Sequence, residues 1–214
     1  MTTYAIPLAI AAVVIGGLLI SGCATGSIEE PKYALVSDSE VYEIREYQPQ
    51  LVAQTVVSGD QKEASSKGFQ ILADYIFGNN QSQQEIAMTA PVSQASESKN
   101  NSEKIAMTAP VSQQQEGDRW VVTFTMPAKY TQETLPVPNN PAVDIKLLPA
   151  DTFAVKSFSG FAREKKVNAE KEALLTALEN NGVSTKGSVV LSQYNPPWTP
   201  GFIRRNEVMI AIEQ

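Results

Sequence analysis

Apolar and polar positions alternate with a period of two in several short stretches of the chain, which predicts β-strands. Two of these stretches, residues 41–47 and 51–57, are joined by a short turn. A helix from about Lys62 to Gly78 is predicted to follow, with an acidic capping residue just before it. The apolar stripe of this helix recurs at helical spacing and consists of Phe69, Leu72, Ala73 and Ile76.

The same succession returns about a hundred residues later. Residues 143–148 and 152–158 again predict two strands, and a second helix ends at Gly182. The apolar positions of this helix are Val167, Leu174, Leu175 and Leu178. The chain is therefore predicted to consist of two related halves, with residues 127–141 as the crossover between them.

Each half adds further strands after its helix. Residues 120–126 alternate in the first half, and residues 189–194 and 207–212 read as strands in the second. Together these elements predict an α+β fold, with a curved and mainly antiparallel sheet and two helices packed on it.

The nonapeptide IAMTAPVSQ occurs twice, at residues 86–94 and 105–113. Its β-branched start and its proline near the end are typical of a strand that runs into a turn. Either copy could pair with the same neighbouring strand. We expect one copy to lie in the central sheet and the other to form a hairpin partner or an edge extension.

The chain begins with an apolar run, residues 5–20, that precedes Ser21-Gly22-Cys23. The run is too short for a membrane-spanning anchor of about 20 residues and contains proline and glycine, so an export signal is favoured. No basic residue precedes it, which departs from the usual pattern. We predict a lipoprotein signal peptide over 1–22, lipidation of Cys23, a tether over 23–31 and a domain over 32–214. Ala24 after the cysteine favours a lipid anchor in the outer membrane, facing the periplasm.

Composition narrows the chemistry. The net charge is −6 and no basic run exceeds two residues, which argues against nucleic acid as a partner. The single cysteine excludes a disulfide within the chain, and the absence of histidine excludes imidazole-dependent triads and metal sites. The carboxylates show no recognisable pairing, so no reaction is indicated by them.

Several segments together resemble the SOUL haem-binding protein family along nearly all of residues 32–213. They are VYEIREY, ADYIFGNN, IAMTAPV, WVVTFTMP, SGFA and, as the most specific, QYNPPWTPGFIRRNEVMI. The resemblance implies two pseudo-symmetric halves that form a distorted β-barrel with two flanking helices. It also implies that haem or another tetrapyrrole binds in an apolar groove beside a helix, here without a histidine axial ligand.

Matching the first helix to the family's groove-lining helix implies macrocycle contacts from Phe69, Leu72, Ala73 and Ile76. Lys62 and Lys67 would then meet the propionates. The alternative is that this stripe is ordinary core, as most apolar helix stripes are. A second candidate patch consists of Tyr194, Trp198, Phe202 and Arg204 in a proline-rich loop. An aromatic side chain beside an arginine suits a flat anionic ligand, but the same residues could simply cap the barrel.

Three functional hypotheses follow. The first is a membrane-anchored lipoprotein that binds haem or another tetrapyrrole. The second is a non-enzymatic envelope lipoprotein that contacts protein or lipid. The third is an enzyme that uses a groove carboxylate on a small apolar molecule, which would require a carboxylate with a raised pKa.

Overall fold

A computed structural model describes residues 28–83 and 102–213. The first copy of the nonapeptide, the predicted signal segment and Cys23 lie outside the described residues. The strands and helices of the first half are β1 (Tyr33–Asp38), β2 (Glu43–Tyr47), β3 (Gln50–Ser58), α1 (Gln61–Ile76), β4 (Asn80–Gln81), β5 (Val111–Glu116) and β6 (Arg119–Thr125). Those that follow are β7 (Val137–Pro138), β8 (Asp144–Leu148), β9 (Asp151–Ser159), α2 (Glu164–Asn180), β10 (Thr185–Gln193), a 3₁₀ turn (Gly201–Ile203) and β11 (Arg205–Ile212).

Nine of the described strands form one sheet in the order β1-β2-β9-β11-β10-β5-β6-β3-β8, and all neighbours in it are antiparallel. The sheet curls into a half-barrel, and both helices pack on its outer face. This arrangement confirms the predicted α+β class with its mainly antiparallel sheet and two flanking helices. The short strands β4 and β7 form a separate two-stranded sheet, and β7 lies within the predicted crossover.

The strand order is two-fold pseudo-symmetric about the central pair β5–β10. Exchanging β2 with β8, β3 with β9, β5 with β10 and β6 with β11 reverses the order and leaves the same neighbours, apart from the added edge strand β1. Ser112 lies opposite Ser192 in the register, and their hydroxyl oxygens are 2.9 Å apart. The sequences around them, VSQ and LSQ, match in the same sense. The duplication read from the sequence is thus present in the sheet.

Each half has its own core between a helix and the sheet. Ala64, Leu72, Tyr75 and Ile76 of α1 pack on β3 and β6, while Val167, Leu174 and Leu178 of α2 pack on β9, β10 and β11. Gly68 permits the close approach of α1, because a Cβ atom there would lie 2.4 Å from Cγ2 of Val122. Leu175, which the sequence placed on the apolar stripe of α2, is exposed.

The second copy of the nonapeptide enters the centre of the sheet. Ile105 is buried, a cis peptide bond joins Ala109 to Pro110, and β5 begins at the following residue, Val111. The prediction that one copy lies in the central sheet is therefore confirmed for this copy.

Candidate ligand groove between the two helices

A groove of about 850 Å³ lies on the outer face of the sheet, between the amino-terminal ends of α1 and α2. This volume falls in the range of about 300–1,000 Å³ that is usual for small-molecule sites. Its lining comes from both halves of the molecule: Asp60, Gln61, Lys62, Ser65, Ser66, Phe69, Gln70, Val111, Gln113, Phe161, Ala162, Arg163, Glu164, Gln193, Asn195, Pro197 and Arg204.

Helix α1 forms one wall, and its start is fixed by a capping residue. The carboxylate of Asp60 accepts a hydrogen bond from the backbone N–H of Glu63 at 2.8 Å, as the sequence predicted. Lys62 and Phe69 line the groove. The Phe69 ring also packs edge-on against Phe124, with centroids 5.5 Å apart, so it joins the groove to the core.

The remaining predicted residues of α1 do not line the groove. Leu72, Ala73 and Ile76 are buried, so their side chains offer almost no surface to a ligand. These three residues of the apolar stripe therefore belong to the core, which was the alternative to macrocycle contact in the sequence analysis. Lys67 lies outside the lining and pairs with Glu63, with 3.7 Å between Nζ and the carboxylate oxygen.

The start of α2 forms the opposite wall. Arg163 is the N-cap residue, and its side chain forms no capping hydrogen bond to the backbone N–H groups of the first turn. Uncapped N–H groups at a helix start carry a partial positive charge and attract anions. The guanidinium carbon of Arg163 lies 5.9 Å from the ring centroid of Phe161, which stands two residues earlier in the chain.

Arg204 brings the carboxyl-terminal loop to the same groove. Its guanidinium lies 4.5 Å from the centroid of Phe161. Its Nε donates to the carbonyl of Thr199 at 2.8 Å, and its Nη2 donates to the carbonyl of Pro197. These bonds hold the cation in place, and among residues 28–83 and 102–213 its other N–H donors remain for a ligand.

The floor of the groove contains an unsatisfied polar group. Gln113, from the centre of β5, is 4% exposed, and its Oε1 has no hydrogen-bond partner within residues 28–83 and 102–213. A buried acceptor without a partner costs free energy, about 1–3 kcal/mol, and a ligand donor that reached it would recover that cost. Gln193, the pseudo-symmetric counterpart of Gln113, lines the groove beside it.

Tyr194 lies on the opposite face of the sheet from this groove. Successive residues of a strand point to opposite faces, so Gln193 lines the groove while the Tyr194 side chain enters the concave face. Trp198 and Phe202 are not among the groove-lining residues and are exposed by 83% and 82%. Of the predicted carboxyl-terminal patch, only Arg204 joins Lys62 and Phe69.

The concave face holds a second, smaller cavity of about 310 Å³ and a buried ion pair. Nη1 of Arg45 lies 3.1 Å from Oε1 of Glu207, and the Tyr194 hydroxyl donates to Oε2 of Glu207 at 2.5 Å. Burial and the nearby carboxylate raise the pKa of Tyr194 well above its ordinary value. Burial alone would lower the pKa of Arg45, but hydrogen bonds with Glu43 and Tyr47 and the charge of Glu207 raise it instead.

Sequence reasoning named only Lys62, Phe69 and Arg204 among the groove-lining residues, and those it missed include Gln113, Phe161, Arg163 and Gln193. The correspondence between VSQ and LSQ in the two halves was the signal that could have paired Gln113 with Gln193. Within the described part of the chain, no group of three or more cysteine or carboxylate side chains is arranged to hold a metal ion. Neither described helix has the length and apolar character needed to cross a membrane.

Fold and groove together define a pseudo-symmetric α+β half-barrel with a ligand-sized groove at the seam of its two halves. The model of the family described as "SOUL heme-binding protein" matches residues 28–101 and 96–211. The chain therefore belongs to the SOUL heme-binding protein family. The two matched ranges meet between the two copies of the nonapeptide.

The chain is similar to "Heme-binding protein 1" of Xenopus tropicalis, with 28% identity over 195 residues, 89% of this chain and 95% of that protein. The protein of the same name from Xenopus laevis is 27% identical over the same shares.

Among solved structures, the EcmrR C-terminal domain has a TM-score of 0.57 at 11% identity and covers 81% of this chain and 98% of its own. A hydrolase from Listeria innocua has a TM-score of 0.53 at 9% identity and covers 83% of this chain and 94% of its own. At these identities the likeness shows the fold alone.

Proposed function

We propose that this chain binds haem or another tetrapyrrole in the groove between α1 and α2, without a histidine ligand, while a lipid on Cys23 anchors it in the cell envelope. The placement facing the periplasm at the outer membrane belongs to the same proposal. The observation that carries the ligand part is the convergence of Lys62, Phe69 and Arg204, from separate halves of the chain, on one groove of about 850 Å³.

The groove suits a flat ligand with an apolar body and anionic side groups. Phe69 and Phe161 supply aromatic walls, and Lys62, Arg163 and Arg204 supply cations, with the uncapped start of α2 as a further anion site. Asp60 and Glu164 are the groove's acidic residues, and Asp60 is engaged as the cap of α1. A tetrapyrrole, with a wide apolar macrocycle and propionates at one edge, matches this distribution.

Iron ligation has little support from these side chains. The chain has no histidine, and the groove lining includes no methionine, cysteine or tyrosine, the other usual protein ligands of haem iron. Among the lining side chains, the amine of Lys62 is the remaining candidate for an iron ligand. Contacts with the macrocycle face and pairing with propionates would therefore carry the affinity. Metal-free protoporphyrin should accordingly bind about as well as haem.

A matched pair of variants on one helix tests the proposal. Lys62 lines the groove and Lys67 does not, although both are exposed lysines of α1. We expect Lys62→Glu to weaken haem binding by about tenfold or more, because a charge-assisted contact worth about 1.5–3 kcal/mol becomes repulsive. Lys67→Glu should bind as the unmodified chain does.

The measurement is a titration of the full chain in mild detergent with ferric haem and with metal-free protoporphyrin, against a detergent blank. Saturable one-to-one binding of both ligands, weakened by Lys62→Glu and by Arg204→Glu, would support the proposal. A non-saturating signal that is equal in all variants would contradict it.

The enzyme hypothesis gains no support from the groove. Asp60 and Glu164, its two carboxylates, are exposed, and the buried Glu207 lies on the other face of the sheet and pairs with Arg45. The envelope-contact hypothesis is favoured by one observation, the exposed aromatic side chains that lie outside the groove.

A further inference from the structure

A group of exposed apolar side chains lies beside the groove, in the carboxyl-terminal loop and at Phe161, on which that loop packs. It consists of Trp198, Phe202, Ile203 and Phe161, which are 83%, 82%, 58% and 50% exposed, and we call it the aromatic tip. Only Phe161 also lines the groove. A contiguous exposed apolar patch is uncommon on a soluble protein and marks a surface that contacts a partner or a membrane.

The loop that presents these side chains is firmly held. Pro196, Pro197 and Pro200 restrict its backbone, and the Arg204 guanidinium donates to two of its carbonyls. Gly201 packs on Phe161 so closely that a Cβ atom would lie 2.8 Å from Cε2 of the ring. The loop backbone is thus held by Arg204 and packed on Phe161, and the exposure of its side chains is a property of the folded chain.

The charge around the tip is opposite to that of the whole molecule. Residues 161–166 and 194–206 contain five cations and one carboxylate, whereas the chain carries a net charge of −6. The cations are Arg163, Lys165, Lys166, Arg204 and Arg205, and the carboxylate is Glu164. Glu30, from the amino-terminal segment, pairs with Arg205, so three positive charges remain in excess around the tip. Aromatic side chains ringed by lysine and arginine suit the surface of an anionic bilayer, where tryptophan is enriched and cations meet lipid headgroups.

The amino-terminal segment enters the domain beside this tip. Glu30 forms an ion pair with Arg205. Arg205 is two residues after Ile203 of the tip. Cys23 precedes Glu30 by seven residues, so even a fully extended chain places it no more than roughly 25 Å from Glu30. An anchor at Cys23 and the aromatic tip can therefore reach the same bilayer surface.

We propose that the aromatic tip inserts into the interface of an anionic bilayer, the one that holds the chain's own anchor. The inference rests on the proposed anchorage and does not depend on the identity of the groove ligand. Because Phe161 and Arg204 belong both to the tip region and to the groove, this docking turns the groove mouth toward lipid. An apolar ligand dissolved in the bilayer could then enter the groove without passing through water.

Tryptophan fluorescence tests this docking, because the two tryptophans lie in opposite environments. Trp198 is 83% exposed, whereas Trp120 is 8% exposed and donates from its indole to the carbonyl of Gly59. The full chain is reconstituted, without any tetrapyrrole, in vesicles of phosphatidylethanolamine and phosphatidylglycerol that carry bromine on their acyl chains. Bromine quenches only those indoles that enter the lipid.

We expect bromolipid to quench the unmodified chain and to leave Trp198→Phe, which reports Trp120 alone, unquenched. Phe202→Glu should reduce the quenching of Trp198 severalfold. Val36→Glu, which alters an exposed apolar residue of β1 that is not part of the tip, should not. Vesicles of phosphatidylcholine alone should quench more weakly than the anionic vesicles.

Two results would overturn the proposal. One is a chain that floats with the vesicles while Trp198 stays open to aqueous acrylamide and unquenched by bromolipid, which would leave a protein as the occupant of the tip. The other is a chain that does not associate with the vesicles at all. Neither result bears on tetrapyrrole binding, because that is measured separately in detergent with the Lys62→Glu variant.

Discussion

At the scale of single residues, the ion pair on the concave face shows how two buried charges contribute to the stability of the half-barrel. Arg45 and Glu207 are 5% and 2% exposed, and Tyr194 and Ser157 donate further hydrogen bonds to the Glu207 carboxylate. A buried pair of this kind is stable only while both partners and their hydrogen bonds are present, because each charge has lost its hydration.

Glu207→Gln should therefore lower the free energy of unfolding by about 3 kcal/mol, since it removes the buried one of the two carboxylates that pair with Arg45 and leaves only the half-buried Glu43. Urea denaturation at neutral pH measures this loss. Glu43→Gln is the control, because the Glu43 side chain is 34% exposed although it also contacts Arg45. We expect Glu43→Gln to lower the free energy of unfolding by about 1 kcal/mol or less. Equal losses in both variants would contradict the importance assigned to burial.

Tyr194 should make stability depend on alkaline pH. Burial and the Glu207 carboxylate raise the pKa of its phenol, so above about pH 10 the unfolded chain loses this proton while the folded chain retains it. The stability that Tyr194 contributes is fully present below the pKa of the phenol in the unfolded chain. It is lost as pH rises toward the pKa in the folded chain, by at most about 1.4 kcal/mol per pH unit. Tyr194→Phe should lose stability less steeply between about pH 10 and 11.5 in urea titrations. Identical slopes would exclude this role.

The sequence did not predict which face of the sheet each site residue occupies. The sequence grouped Tyr194 with Arg204 because both stand in one loop region, yet the strand alternation places the Tyr194 side chain on the concave face and Gln193 in the groove. Gln113 gave no signal of its own, since a glutamine in a polar run is usually exposed. Its burial follows from its place at the centre of the sheet.

At the scale of elements, local signals predicted the helices better than the edges of the sheet. Asp60 and Gly78 bracket α1 as the sequence indicated, because a cap and a glycine with positive φ are local features. Strand β1 was missed because every residue of Tyr33–Asp38 is exposed, so no alternation of burial marks it. How closely α1 approaches the sheet depended on Gly68, whose contact with Val122 is not encoded locally.

Gly68→Ala tests that contact. In an exposed helix this change is stabilising by about 1 kcal/mol, but here the added methyl group would meet the fully buried Val122 side chain. We expect a net loss of about 1–3 kcal/mol from overpacking, measured by urea denaturation. In the double variant with Val122→Ala the combined loss should be smaller than the sum of the single losses, because the new methyl group fills the vacated space. Strict additivity would rule out the contact as the cause.

At the scale of the whole molecule, the duplication determines where the groove lies. The pseudo-symmetry axis passes between β5 and β10, so the floor of the groove comes from the central pair of strands and its walls come from the starts of α1 and α2. Neither half has both walls. A ligand in the groove should consequently bind only the complete fold and stabilise both halves together.

Saturating haem should therefore raise the free energy of unfolding by about 2.7 kcal/mol when the free ligand is a hundredfold above Kd. Hydrogen exchange should slow at the first turns of α1 and α2 and in the loop that carries Arg204, because all three line the groove. Amides at the free edges of β1 and β8, the end strands of the sheet, exchange by local opening, so they serve as the internal control and should be unchanged. Protection confined to strands around the concave cavity would instead place the ligand beside Tyr47 and Tyr194, which line that cavity, and Lys62→Glu would then leave both the protection and the stabilisation intact.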